Sequence, residues 1–172
     1  MDCHLPPERV AGFTLIELIV VISVLGILAT IAVPNMQDFI VSSRAHAEVR
    51  SLSRFIAAAR AEAIARGQVV NISPIADSWS EGWQSWIDEN GNGELDSGET
   101  LKTQSAISSH AAILVSRSGS PVDKFNFSSE GFLGGVAEIS LQYRSSPEVC
   151  SLDRNLTLNL SGLLSTTERV CS

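Results

Sequence analysis

The sequence predicts an α+β protein in which a long N-terminal helix packs on an antiparallel β-sheet domain. Two observations predict the helix: an apolar run over residues 13–33 with Glu17 as its single charge, and a helical period of apolar residues that continues to Gly67. The sheet is predicted by short segments of alternating polar and apolar residues after residue 68, separated by turns rich in glycine, serine and asparagine. The chain has 172 residues, enough for one domain of ordinary size and an appendage.

The apolar run predicts a membrane-spanning helix over residues 13–34, with a wholly buried helix as the alternative. As a helix, residues 15–33 would extend about 28 Å, which is enough to cross a hydrocarbon core. Pro34 and several polar residues then end the run. A carboxylate that lies deep in a membrane costs about 2.5–3.5 kcal/mol. We therefore expect Glu17 either to reach the membrane interface or to pair with a cation of another subunit.

Residues 35–67 are predicted to continue the helix as its amphipathic half. One predicted face consists of Met36, Phe39, Ile40, Ser43, Ala47, Leu52, Phe55, Ile56, Ala59 and Ala63. The arginines lie largely elsewhere and are interpreted as a solvated face, with anion binding as the alternative. Glu62 and Arg66 have the spacing of a favourable pair one turn apart. Gly67 predicts the C-terminal end of the helix.

Residues 68–172 form the predicted β-rich globular domain. The segments with a strand pattern are 69–72, 83–87, 125–127, 139–143 and 156–160. Clusters of turn-forming residues separate them, most clearly at 116–121 and 131–135. Because only strands follow the long helix, we expect the helix to lie on an antiparallel sheet.

Composition disfavours two classes of function. The chain carries 12 Lys+Arg against 19 Asp+Glu, a formal net charge of −7, whereas nucleic-acid binding needs clustered basic residues. Beyond the first dozen residues the only histidines are His46 and His110, and no nucleophile-elbow, zinc-protease or phosphate-loop motif occurs. We therefore expect a protein without enzymatic activity and without catalytic residues.

The head of the apolar run reads Gly12-Phe13-Thr14-Leu15-Ile16-Glu17. It resembles the prepilin-peptidase recognition sequence of type IV pilins and type II secretion pseudopilins. The resemblance implies that residues 1–12 are a leader, that the peptidase cuts between Gly12 and Phe13, and that Phe13 becomes N-methylated. It also implies that Glu17 guides assembly by pairing with the new α-amine of a neighbouring subunit. The implied location is the bacterial inner membrane, crossed once, with the globular domain in the periplasm and the processed chain in a filament.

Later motifs resemble, in the same order, those of the GspH/FimT group of minor pilins and pseudopilins. They are Ala59-Arg60-Ala61-Glu62-Ala63 with Gly67, Trp83 ahead of the loop 88–99, and Phe125-Asn126-Phe127 leading to Gly131. The resemblance implies a non-enzymatic minor pseudopilin of a type II secretion system, which serves protein secretion. Its implied partners are other pilins or pseudopilins, bound through the N-terminal helix, together with prepilin peptidase and the inner membrane.

A minor pilin of a type IV pilus, acting in pilus biogenesis or DNA uptake, is the alternative function. Some members of the resembled group bind DNA through a basic C-terminal segment. The matching segment here, residues 161–165, holds no arginine for phosphate contact, so nucleic acid is not an expected partner.

The loop 88–99 satisfies the spacing of an EF-hand calcium loop. Its candidate ligands are Asp88, Asn90, Asn92, Glu94, Asp96 and Glu99. A structural Ca²⁺ ion is therefore one hypothesis, and a membrane-anchored calcium-binding module is a further alternative for the function. Since the preceding segment 83–87 has a strand pattern and not a helical one, the competing interpretation is a turn closed by Asx hydrogen bonds. No other cofactor is expected.

The cysteines predict one disulfide in the processed chain. Cys3 would leave with the leader, and Cys150 and Cys171 would remain as a pair. In an oxidising compartment a bridge between them would stabilise the fold by about 3 kcal/mol on the chain-entropy model. Two independent buried thiols are the alternative.

Overall fold

The computed structural model of the chain describes residues 13–108 and 111–171, apart from the side chains of 30–35, 37 and 38. The predicted leader with Gly12 and Cys3 lies outside the described residues, as does His110. The described chain begins with helix α1 (Leu15–Arg66), which has 52 residues and confirms the predicted long helix.

Gly67 ends α1 as predicted. Its φ is 64°, a left-handed conformation that glycine adopts without steric cost. The N–H of Gln68 donates to the carbonyl of Ala63 at 3.2 Å, and the N–H of Gly67 donates to the carbonyl of Ile64 at 3.3 Å. These bonds satisfy the last carbonyl groups of the helix.

The chain divides into two compact units, the first ending at Val41 and the second beginning at Ser42, and α1 has residues in both. The domain boundaries at residues 34 and 67 stay predictions from the sequence pattern. Of the helical residues whose positions are described, no stretch combines the length and the apolar character needed to cross a membrane. The membrane span over residues 13–34 stays a prediction as well.

The second unit contains nine strands within the described residues. They are β1 (Val70–Ile75), β2 (Ser78–Trp86), β3 (Thr100–Ser105), β4 (Ala111–Arg117), β5 (Ser120–Pro121), β6 (Phe125–Phe127), β7 (Ile139–Ser145), β8 (Arg154–Leu158) and β9 (Leu164–Glu168). They form a four-stranded sheet in the order β3-β2-β1-β6 and a five-stranded sheet in the order β5-β4-β7-β8-β9. All strand pairs are antiparallel. The α+β class is confirmed, while the expectation of one sheet is corrected to two.

The buried face of α1 differs from the predicted face in its first half. The buried residues of the helix are Ala45, Val49, Leu52, Phe55, Ile56, Ala59 and Ala63. The last five were predicted, whereas Ser43 and Ala47 are exposed, as are Met36, Phe39 and Ile40 of the first unit. Val49 lies three residues before Leu52, and Ala45 lies four residues before Val49, so both share the helix face of Leu52. The sequence prediction places Ser43 and Ala47 on this face instead.

A polar side chain of α1 also forms hydrogen bonds with the β-rich part of the second unit. The carboxylate of Glu48 accepts hydrogen bonds from the hydroxyl of Tyr143 at 2.8 Å and from the N–H of Ser108 at 2.9 Å. Burial raises the pKa of Tyr143, and the bond to Glu48 raises it further. Tyr143 therefore remains a neutral donor, and the bond joins the middle of α1 to β7.

Arg60 corrects the interpretation of the helical arginines as a solvated face. Its Nε donates to the carbonyl of Gly131 at 2.8 Å and its Nη2 to the carbonyl of Ser161 at 3.1 Å. One planar guanidinium thereby holds two loops against α1. Glu62 and Arg66 do form the predicted ion pair, at 2.6 Å.

Candidate functional site

Thr14 caps the N-terminal end of α1, and Glu17 lies in the first turn of the helix. The hydroxyl of Thr14 accepts a hydrogen bond from the N–H of Glu17 at 3.2 Å, and its carbonyl accepts one from the N–H of Leu18 at 3.2 Å. Threonine followed three residues later by glutamate is the spacing of a capping box. This capping role of Thr14 is absent from the sequence predictions, although the spacing was available to indicate it.

Glu17 is a single acidic group at the start of an apolar segment. It lies in the first turn of α1, near the positive end of the helix dipole. None of the ion pairs among the described residues includes it. Phe13 lies just ahead of the first helical turn and is exposed, so the predicted new N-terminus and Glu17 lie at the same end of α1. The bond between Gly12 and Phe13 lies at the edge of the described residues.

The segment that follows is apolar on every side. Its exposed side chains are Leu15, Ile16, Leu18, Ile19, Val20, Val21, Ile22, Val24, Leu25, Ile27 and Leu28. Successive residues of a helix are rotated by about 100°, so an unbroken apolar run leaves no polar face. Even the hydroxyl of Ser23 is satisfied within the helix, by the carbonyl of Ile19 at 2.7 Å. Apolar surface of this extent marks a place where lipid or other apolar chains bind.

The oxygens of the loop 88–99 point towards the loop's own N–H groups. Both carboxylate oxygens of Asp88 accept hydrogen bonds, from the N–H of Gly91 at 2.7 Å and of Gly93 at 2.8 Å. Those of Glu99 accept from the N–H groups of Glu89 and Asp96, each at 2.9 Å. These carboxylates therefore close the loop at its two ends.

The amide side chains of the loop close its middle. The side-chain carbonyl of Asn90 accepts from the N–H of Asn92 at 2.9 Å, and that of Asn92 accepts from the N–H of Glu94 at 2.7 Å. Both amide groups also donate to Asp96 Oδ2 at 2.7 Å. In the part of the chain that is described, no three acidic, histidine or cysteine side chains are arranged to hold a metal ion. The turn interpretation accounts for all candidate ligands except the exposed Glu94, and the calcium hypothesis stays a prediction without support from this geometry.

Lys124 connects the loop to an aromatic side chain of the first sheet. Trp86 is buried although it lies outside the main hydrophobic cluster. The amine of Lys124 lies 5.7 Å from the centre of the Trp86 ring and donates to the carbonyl of Gly93. The indole N–H of Trp86 donates to the hydroxyl of Ser73 at 3.2 Å. Lys124 therefore links the loop to Trp86, which is consistent with a structural role of the loop.

Cys150 and Cys171 form the predicted disulfide, with Cα atoms 6.0 Å apart. Beside it the buried carboxylate of Asp153 accepts bonds from the N–H of Ser145 at 2.8 Å, from the Ser145 hydroxyl at 2.9 Å and from Arg169 Nη1 at 2.8 Å. Burial alone would raise the pKa of Asp153, but these bonds outweigh it and leave the pKa below its usual value. The sequence held no signal for this cluster, because its members are up to 24 residues apart and share no motif.

Two protein-family models match the chain. Residues 48–162 match the family described as type II transport protein GspH, which is more than half of the chain. Residues 9–33 match the prokaryotic N-terminal methylation motif, which includes Phe13 and Glu17.

Solved structures with a similar fold include two minor subunits. The type IV minor pilin FimU of Pseudomonas aeruginosa aligns with a TM-score of 0.63 at 16% identity, covering 75% of this chain and 92% of FimU. The minor pseudopilin EpsH of the type 2 secretion system of Vibrio cholerae aligns with a TM-score of 0.56 at 14% identity, covering 73% of this chain and 97% of EpsH. At these identities the similarity shows the shared pilin-like fold.

A curated relative, a fimbrial protein of Pseudomonas aeruginosa, is 34% identical over 67 residues. The match covers 39% of this chain and 44% of that protein, so the chain spans less than half of the relative's length. The family match and the methylation motif at the head of α1 agree with the pilin-like fold, and the chain therefore belongs to the type II transport protein GspH family of minor pilins and pseudopilins.

Proposed function

We propose that the chain is a non-enzymatic minor pseudopilin of a type II secretion system. The observation that carries this proposal is the apolar surface of α1, exposed on every side from Leu15 to Leu28 and headed by Glu17 within a methylation motif. In the proposal, residues 13–34 anchor the precursor in the bacterial inner membrane, and the domain 68–172 lies in the periplasm. Prepilin peptidase removes residues 1–12, and Phe13 is then N-methylated.

Assembly would exchange lipid contacts of α1 for contacts with other apolar helices. Lipid tails are as apolar as leucine, so this exchange gains little from the hydrophobic effect and depends on packing and polar pairing. The carboxylate of Glu17 and the α-amine of a neighbouring subunit would supply such a pair. Two unit charges 4 Å apart attract by about 4 kcal/mol at an effective dielectric constant of 20. One ion pair of that strength in apolar surroundings favours one register of the helices over others.

Replacement of Glu17 tests this mechanism. The full chain is expressed with prepilin peptidase and a set of pseudopilins, and membrane insertion, cleavage and recovery in sheared filaments are measured. We expect Glu17→Ala to insert and to be cleaved, but to be absent from filaments, because the amine has lost its partner. Glu62→Ala is the matched control, since it removes a helical carboxylate that pairs with Arg66 on the surface. Recovery of Glu17→Ala at the wild-type level would show that the pairing is unnecessary.

A second substitution tests the processing step separately. Gly12→Leu places a bulky side chain beside the proposed cut, and we expect a precursor that stays 12 residues longer than the processed chain. Mass spectrometry of the N-terminus reports both the cut and the methyl group on Phe13. Equal processing of the variant and the wild type would contradict the proposed leader.

The similarity to FimU supports a second candidate function, that of a minor pilin in a type IV pilus. Expression of the chain with either a pseudopilus set or a pilus set, each lacking its own GspH-like subunit, distinguishes the two. Restoration of secretion, with no recovery of pili, is the result expected from the first proposal.

A further inference from the structure

The first sheet carries a row of side chains on the face that is turned away from the hydrophobic core. Asn71 of β1 lies opposite Asn126 of β6 and opposite Trp86 of β2. Directly opposed residues of an antiparallel pair point to the same face of a sheet, whereas successive residues point to opposite faces. Val70 and Ile72, the neighbours of Asn71 in the chain, belong to the core. Asn71 and Asn126 therefore lie side by side on the outer face of this sheet.

Both asparagines line a cavity of about 550 Å³. Its other polar side chains are Gln68, Asp88 and Lys124. Cavities of this size commonly bind small molecules, and most such sites are lined by apolar side chains with few polar groups. The polar lining found here favours a ligand that forms several hydrogen bonds.

The carboxamide groups of the cavity have no partners in the fold. Asn71 is only 9% exposed, yet its side chain forms no hydrogen bond with any of the described residues. Burial of an amide without a hydrogen bond is unfavourable, and most buried polar side chains have a partner in the protein or in bound water. The side chains of Asn126 and Gln68 also form no hydrogen bond within the described part of the chain. Three carboxamides are therefore free to bind a ligand.

The charged groups of the cavity are already engaged. Lys124 donates to the carbonyl of Gly93, and its amine lies over the ring of Trp86. The two carboxylate oxygens of Asp88 accept from the N–H groups of Gly91 and Gly93. The ammonium and the carboxylate have opposite charges, so together they add no net charge to the lining. The free groups are neutral carboxamides, each of which both donates and accepts hydrogen bonds.

We propose that this cavity binds a neutral saccharide, held by Asn71, Asn126 and Gln68. Hydroxyl groups donate and accept hydrogen bonds, as carboxamides do, so a neutral ligand with many hydroxyl groups matches the free groups of the lining. A peptide strand matches less well, because β1 lies between β2 and β6 and its backbone groups are used in two ladders. The proposal does not depend on which filament the chain enters.

Saccharide binding to the full chain tests the proposal, in micelles of a detergent without a sugar headgroup. Saturation-transfer difference NMR is measured with glucose, galactose, mannose and N-acetylglucosamine. Glucuronate, which carries one negative charge, and glycine, which carries two opposite charges, are the comparison ligands. We expect at least one neutral saccharide to bind with a Kd about tenfold lower than that of either charged ligand, which corresponds to about 1.4 kcal/mol. Absence of binding by all four saccharides, or equal or tighter binding of a charged ligand, would overturn the proposal.

Substitutions in the lining test the assigned residues. Asn71→Leu removes the amide at similar volume, and we expect an equal or higher melting temperature together with a saccharide Kd at least tenfold higher, because the amide has no partner in the fold. Gln68→Ala changes an exposed side chain, should also raise the Kd, and covers the case in which Asn71→Leu fails to fold. Gln142→Ala removes an amide from β7 in the second sheet and is the matched control, with no expected change in Kd. Folded Asn71 and Gln68 variants that bind saccharide like the wild type would contradict the proposal.

Discussion

Glu99→Gln is expected to destabilise the globular domain in the absence of calcium. Glu99 is 6% exposed, and each of its carboxylate oxygens accepts a backbone N–H at 2.9 Å. A glutamine can satisfy one of these donors with its oxygen but turns its NH₂ group towards the other. A buried donor left without an acceptor costs about 1–3 kcal/mol. At about 2–4 °C per kcal/mol for a chain of this size, the melting temperature should fall by about 2–12 °C.

The assay is thermal unfolding of the full chain in detergent with a chelator present, followed by circular dichroism. Tryptophan fluorescence provides a local signal, because Lys124 lies over the Trp86 ring and is bound to the loop at Gly93, so loosening of the loop should change the surroundings of Trp86. Glu94→Gln is the matched control: it removes the same charge from the same loop at an exposed position, where the carboxylate makes no hydrogen bond within the described residues. Its effect should stay within about 0.5 kcal/mol.

A calcium site would give the opposite pattern of results. Carboxylates held around an empty site repel one another, so Glu99→Gln would leave the melting temperature without calcium unchanged or higher. The wild type would then gain about 2.7 kcal/mol at a hundredfold excess of calcium over its Kd, and the variant would not. That combination would refute the interpretation of the loop as a self-closed turn.

Three further substitutions test other parts of the domain. The pKa of Asp153 is lowered in the fold, so its ionised carboxylate contributes fully to the free energy of unfolding above the usual pKa of 3.8. This contribution is lost as the pH falls towards the pKa of the folded state. Asp153→Asn should therefore remove part of the loss of stability that the wild type shows when unfolding is measured at decreasing pH. Cys171→Ser should lower the free energy of unfolding by about 3 kcal/mol in urea titrations, and reduction of the wild type should have the same effect, whereas a reduced wild type of unchanged stability would argue against it. Arg60→Lys should cost about 1–2 kcal/mol, because a single amine cannot hold both the Gly131 and the Ser161 carbonyls in the geometry of the guanidinium.

The elements that could be predicted are those whose pattern is local. The helix end at Gly67 and the strands β1, β2, β6, β7 and β8 follow from periodicity and turn residues. The strands β3 and β9 escaped prediction because they are sheet edges with largely exposed polar residues, and so they lack the alternation that burial of one face imposes. β4 escaped because its apolar residues run together over Ala112–Val115 without alternating.

The candidate sites also divide into features with a local sequence pattern and contacts between residues distant in the sequence. The processing motif lies within six consecutive residues and could be recognised from the sequence. The hydrogen bonds between Glu48 and Tyr143 and between Arg60 and Ser161 join residues about 100 positions apart, and no local pattern indicates which residues pair. The calcium spacing of the loop 88–99 was visible, but the spacing alone does not decide whether its oxygens face an ion or the loop's own N–H groups.

The position of β6 in the first sheet has a consequence for how the domain folds. β1 joins β2 through a short turn, but Ile72 pairs with Phe125 about 50 residues later in the chain. Closing a long loop costs more conformational entropy than closing a hairpin, so contacts between distant segments form late. The core residues Val70 and Phe127 can meet only by closing a loop that contains β2, β3, β4 and β5. We therefore expect the first sheet to be completed in one late, cooperative step, with its β1 edge open to solvent until β6 arrives.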